Sequence, residues 1–167
     1  MRNTMLLLAA AAALGCARTE SAEQMAARER AEADSARPLI EDLNARFVRY
    51  TNAGQPDSSA MLYAANGTVM APNMPAAVGR DSIRALFASL GGGRLTATVR
   101  GVSSHGPIGV MSGTFEYSIP AAPGRPASND RGKFLNHVHL MDGRWMLVET
   151  MWNSDLPPQP MPRTSGR

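Results

Sequence analysis

The sequence is poor in the residues that hold metals and cross-links: it has one cysteine and three histidines in 167 residues. That leaves no disulfide framework and no zinc–thiolate cluster. Aromatic residues are scarce as well, at 5%. Charge of one sign is missing too, because 17 Lys and Arg stand against 14 Asp and Glu for a formal net charge of +3. The two signs are interspersed, so there is no basic cluster with stacking aromatics, and a nucleic-acid-binding surface is not expected.

What is present begins with "MRNTMLLLAAAAALGC". An early Arg2, an apolar run from Met5 to Leu14 and small Gly15 read as the three regions of an export signal. The run is too short for a permanent span, which needs about 20 residues. Ala13-Leu14-Gly15-Cys16 resembles the lipobox of bacterial lipoproteins, with alanine where the pattern prefers leucine. The resemblance implies that residues 1–16 are a signal peptide, that Cys16 is lipidated and that the lipid is the only membrane attachment. Ala17 after the cysteine favours the outer membrane, facing the periplasm. Plain secretion with an incidental thiol is the competing reading. With Cys16 acylated no thiol remains for nucleophilic chemistry.

Residues 17–37 are rich in Ala, Glu and Arg without an apolar stripe, which suggests a solvated helical stalk or tether. From Pro38 the pattern changes: Leu39, Ile40, Leu43, Phe47 and Tyr50 recur at helical spacing, and proline is tolerated in a first turn. "PDSSAMLYAANG" reads as a short second helix that leaves through Asn66-Gly67, and "TVMAP" as a short strand. "GRDSIRALFASLGGG" is the clearest helix, with Asp81 as its cap and Ile83, Leu86, Phe87 and Leu90 on one face. Four strand patterns follow, "RLTATVRGV", "GVMSGTFEYSI", "KFLNHVHLM" and "RWMLVETMWNS". A long loop from Pro120 to Gly132 precedes the third. The expectation is an α+β domain over residues 38–158, three N-terminal helices packed in a strongly curved, mainly antiparallel sheet, with residues 159–167 a disordered tail. A bent sheet closed by helices leaves a hollow where a ligand can bind.

"VGRDSIRALF" and "GKFLNHVHLMDGRWMLVETMWNSDLP" resemble the SnoaL-like, ketosteroid-isomerase-like superfamily, the nuclear-transport-factor-two-like cone fold. That fold hosts isomerases, hydrolases, dehydratases, cyclases and non-catalytic binders, so it does not fix the function. The resemblance implies a homodimer through the sheet. Tyr63, Phe87, Trp152 and Asn153 match regions that line the pocket in relatives, and Tyr50, Phe115 and Tyr117 stand within reach of it. For each aromatic, core packing is an equal explanation.

The last hairpin can be paired outward from its Asp142-Gly143 turn. Regular pairing sets Leu140 against Trp145, Val138 against Leu147, Asn136 against Glu149 and Phe134 against Met151, all on one apolar surface. His139 with Met146 and His137 with Val148 fall on the other. The two histidines stand about 7 Å apart along the strand, but the facing residues supply no further ligand, so no metal is assigned and no cofactor is expected. Asn136 and Glu149 interrupt the apolar surface, and a buried carboxylate has the raised pKa that acid–base catalysis uses. The opposing reading places Glu149 in solvent or in an ion pair.

Three functions remain. The first is a membrane-anchored domain that binds a small apolar or amphipathic molecule in its cone. The second is an isomerase- or cyclase-type enzyme that uses Glu149 as acid or base. The third is an envelope scaffold.

Overall fold

The structure is a computed structural model that describes residues 20–90, 92–124 and 126–157. Cys16, the signal segment and the tail from residue 158 lie outside the described residues. Among the described residues, no helix is long and apolar enough to cross a membrane.

Helix α1 runs from Ala22 to Asn52. Ser21 opens it with a capping box, its hydroxyl accepting from the Gln24 backbone while the Gln24 side chain accepts from the Ser21 backbone, which satisfies two otherwise unpaired donors. The expected start at Pro38 is therefore wrong, because Pro38 lies inside the helix. Proline removes one helical hydrogen bond and crowds the preceding turn. The Ala/Glu/Arg segment before it is nonetheless a strong helix former, reinforced by i,i+4 ion pairs such as Arg28–Glu32 and Arg37–Glu41. Burial begins at Ala36 and continues through Ile40, Leu43 and Asn44. That spacing draws one apolar stripe along the helix, and the stripe meets the sheet.

The other two helices are short. Helix α2 spans Pro56–Ala60 and helix α3 spans Arg80–Ser89. The second helix stops well before its expected exit at Asn66-Gly67, since strand β1 already runs from Tyr63 to Met70. Asp81 is not the cap of α3. Gly79, with φ of 80°, stands before the helix, a conformation open to glycine without strain. The remaining strands are β2 (Ala77–Val78), β3 (Arg94–His105), β4 (Ile108–Ile119), β5 (Ser128–Met141) and β6 (Arg144–Ser154).

The six strands form one sheet in the order β2-β1-β6-β5-β4-β3. All neighbours are antiparallel except β1 and β6, which run parallel, so the sheet is mixed. Along β4, Gly109, Met111, Gly113 and Phe115 turn inward and are buried. Glycine is needed at 113, where a Cβ would collide with the Thr98 carbonyl and stand 2.7 Å from the Phe134 ring. The helices cover this inner face. Ile40, Leu43, Tyr63, Val69, Ile83, Met111 and Val138 form the fully buried centre. An aliphatic side chain buried in this way contributes about 1.5–3 kcal/mol.

Candidate functional site

The helices fill only part of the inner face. Beyond the core, toward the C-terminal end of α1, the sheet and helices line a half-open cavity of about 420 Å³, within the range of small-molecule sites. Its walls come from every layer: Asn44, Phe47 and Thr51 from α1, Ser59 from α2, Phe87 from α3, and Leu95, Ala97, Phe115, Phe134 and Trp152 from the strands. Phe47 and Phe87 meet edge to face with centroids 5.3 Å apart, a favoured aromatic geometry. No lysine or arginine lines the cavity among the described residues.

Besides Asn44, Thr51, Gln55 and Ser59 on the helical side, polar groups enter from the sheet at two places. Asn136 and Thr150 are cross-strand partners on β5 and β6, both buried and both lining the cavity. Behind them lies Tyr63, fully buried, whose hydroxyl donates to Thr150 Oγ1 at 2.9 Å. Burial pushes the Tyr63 hydroxyl well above its ordinary pKa of 10.0, against a smaller lowering by the Thr150 hydrogen bond, so the phenol stays protonated. Asn136 Oδ1 is buried and has no hydrogen-bond partner among the described residues. The second place is the cavity end, where Asp130 Oδ1 accepts from Ser154 Oγ at 2.5 Å and from the Arg131 backbone at 2.8 Å. Tyr117 also lines this end, and its hydroxyl accepts from Gly93 N–H at 3.1 Å.

Glu149 is not in the cavity, which corrects the inward placement expected for it. The hairpin follows regular pairing from Met141–Arg144 to Val138–Leu147 and then slips by one residue, so that His137 faces Glu149 and Asn136 faces Thr150. Val148 is the extra residue of a β-bulge. One inserted residue exchanges the two faces of everything beyond it. Glu149 is thus carried to the convex face, and Thr150 takes the inward position. Phe134 likewise faces Trp152, not Met151, and Lys133 faces Asn153.

The other expected residues divide. Asn136, Phe87, Tyr117 and Trp152 line the cavity, as does Phe115. Tyr63 is on a strand rather than a helix and supports the cavity wall from behind. Asn153 is exposed and does not line the cavity. Tyr50 packs against the core. Sequence reading missed Thr150 because of the bulge, and Asp130 because it was placed in a loop when β5 begins at Ser128. Phe134 was set on the apolar surface of the hairpin but not named as a pocket residue.

On the convex face, Glu149 Oε2 lies 3.2 Å from His137 Nδ1, and His137 Nε2 lies 3.0 Å from His139 Nε2. Among the described residues, no three His, Cys, Asp or Glu side chains are arranged to hold a metal ion. Exposed apolar side chains, Ile108, Val110, Leu135 and Met151, surround the pair on the same side.

The SnoaL-like domain model matches residues 44–148, more than half of the chain. The chain belongs to the SnoaL-like domain family. No curated protein matches it. Solved structures with the same fold include a ketosteroid isomerase-like protein from Erwinia carotovora atroseptica, 16% identical with a TM-score of 0.65, covering 72% of this chain and 96% of that one. An NTF2-like protein with a cystatin-like fold from Novosphingobium aromaticivorans is 16% identical with a TM-score of 0.64, over 80% of this chain and 89% of its own. An NTF2-like superfamily protein from Salmonella enterica serovar Typhimurium is 11% identical with a TM-score of 0.66, over 80% and 99%. At these identities the likeness shows the SnoaL/NTF2-like fold alone.

Proposed function

We propose that this SnoaL-like domain binds a small, uncharged, largely apolar molecule in its cone. The carrying observation is the cavity of about 420 Å³, walled by six aromatic side chains from helices and sheet and free of basic residues among those described. Apolar walls with a few convergent polar groups are the usual composition of a small-molecule site. An anion would meet Asp130 there and no lysine or arginine. Native mass spectrometry of the purified domain should show a co-purified small molecule, and Ala97→Trp, which extends a cavity-lining side chain into the space, should remove it. Spectra free of ligand from every expression host, with no uptake of added aromatic compounds, would overturn the proposal.

An enzyme using Glu149 as acid or base does not fit its position outside the cavity. Asp130 is the carboxylate that lines the cavity among the described residues, and its Oδ1 already accepts two hydrogen bonds. This favours binding over proton transfer.

The lipobox-like Ala13-Leu14-Gly15-Cys16 supports attachment of the domain to the bacterial envelope through an acylated Cys16. Cys16→Ser should release the protein from the membrane fraction, and unchanged retention would dismiss the anchor. The exposed Val110, Leu135 and Met151 on the convex face support a homodimer formed through the sheet. A scaffold role would use that same face.

A further inference from the structure

We propose that the cone recognises a hydroxyl group: its ligand is a neutral ring compound carrying an alcohol or phenol, held by Asn136 and Thr150. The inference rests on the cone-binding reading and narrows it to one chemical class.

The argument begins with an imbalance. Asn136 is 7% exposed and lines the cavity, and its Oδ1 is buried with no hydrogen-bond partner among the described residues. A buried acceptor without a donor is costly, and native interiors rarely tolerate one without a functional or hydration reason. The group that relieves a carbonyl oxygen is a donor, which a ketone, ether or hydrocarbon does not possess.

Thr150 adds the complementary half. Its Oγ1 accepts from Tyr63, whose hydroxyl burial keeps protonated and therefore able to donate. Thr150 is left with its own hydroxyl hydrogen to give. The two residues are direct cross-strand partners, so their Cβ atoms stand about 5 Å apart. The Asn136 amide lines the cavity but its Oδ1 is turned into the wall. Rotation of the amide to the cavity surface lets one hydroxyl accept from Thr150 and donate to Asn136. The aromatic walls, Phe47, Phe87, Phe115, Phe134 and Trp152, take the ring.

The bulge at Val148 is what creates this pair. With regular pairing Glu149 would face Asn136, and a carboxylate would occupy the place of a neutral hydroxyl. The slip substitutes a group that both donates and accepts, without charge.

The test is a congener series measured by isothermal titration calorimetry on the purified domain: naphthol, methoxynaphthalene, naphthalene and naphthoate. Naphthol should bind about tenfold or more tighter than the ether and the hydrocarbon, the factor expected for satisfying one buried polar group. Naphthoate should bind worst. Asn136→Leu should bring naphthol and its ether to equal affinity while naphthalene binds as well as before or better. Equal affinities for naphthol and its ether in the unaltered protein would overturn the hydroxyl assignment and leave cone binding standing. A naphthol preference that survives Asn136→Leu and Thr150→Val would also overturn it. Failure of every congener to bind would overturn the cone-binding reading itself, and this inference with it. The congener comparison needs no variant, so it stands whether or not Asn136→Leu folds.

Discussion

Glu149 faces His137, with Oε2 3.2 Å from Nδ1, and does not face Asn136. The carboxylate side chain is 53% exposed, on the opposite side of the sheet from the cavity. An ion pair in that position is screened by water and contributes about 0–1 kcal/mol when the histidine is protonated. Glu149→Gln should therefore leave naphthol affinity unchanged and shift the urea midpoint by the equivalent of less than about 1 kcal/mol. A large loss of binding in calorimetry would return Glu149 to the site.

The Tyr63–Thr150 hydrogen bond sits under the cavity floor. Phe at 63 removes the donor and should cost about 0.5–1.5 kcal/mol, whereas Val at 150 strands the buried phenol and should cost about 1–3 kcal/mol. Their combination removes both polar groups together, so Tyr63→Phe/Thr150→Val should be clearly less destabilised than the sum of the two. Denaturant unfolding of the four proteins measures the coupling. Strict additivity would show that the hydroxyls do not interact.

The same tyrosine makes alkaline stability a readout of its burial. Its folded-state pKa is raised above the ordinary 10.0. The stabilisation associated with the protonated phenol is complete below 10.0 and is lost as pH rises above it, because the unfolded chain ionises first. The slope reaches about 1.4 kcal/mol per pH unit for one such group. Unfolding midpoints followed from neutral pH to about pH 11 should fall more steeply for the unaltered protein than for Tyr63→Phe. Parallel curves would mean that the Tyr63 hydroxyl reaches solvent.

How much of this was legible depended on the length and period of each pattern. Strand β6 begins and ends, β3 begins and β4 ends where alternating hydrophobicity places them, because one face of each strand is buried and side chains alternate with a period of two. Strand β3, however, runs on to His105, and β5 begins at Ser128, inside the stretch expected to be a loop. Helix α3 was plain for the corresponding reason, with Ile83 and Leu86 buried on its inner face. Tyr63 was misread because "MLYAANG" is too short for a helical period to be told from a strand, and pairing with β6 decided it. Pro38 misled because local propensity on both sides outweighs one lost hydrogen bond. The bulge at Val148 left no mark, since neither glycine nor proline accompanies it, and every residue beyond it was assigned to the wrong face. Asn136 was recognised as the polar break in an apolar surface, but its partner was displaced by one residue.

Gly113 ties the shape of the sheet to the cavity wall. Its missing side chain lets the Phe134 ring lie against β4, and Phe134 lines the cavity. Gly113→Ala should destabilise the domain by about 1–3 kcal/mol through overpacking and should weaken naphthol binding by displacing Phe134. Thermal unfolding and calorimetry check the two effects, and a neutral substitution would mean that β3 and Phe134 give way without strain.

The convex face carries the last prediction. Leu135 and Met151 are direct partners there, 43% and 46% exposed, with Val110 nearby. Apolar side chains left in water on one side of a sheet gain by covering one another, at about 25 cal/mol for each Å² removed. A two-fold contact between copies is the commonest way to do so. Met151→Glu should split the proposed dimer, because the new carboxylate would be desolvated with Glu149 two residues away on the same face. Sedimentation should give a dimer for the unaltered domain and a monomer for the variant, while naphthol affinity stays the same because Met151 does not line the cavity. An unaltered domain that sediments as a monomer at micromolar concentration would remove the dimer and leave the cone, its hydroxyl pair and their tests untouched.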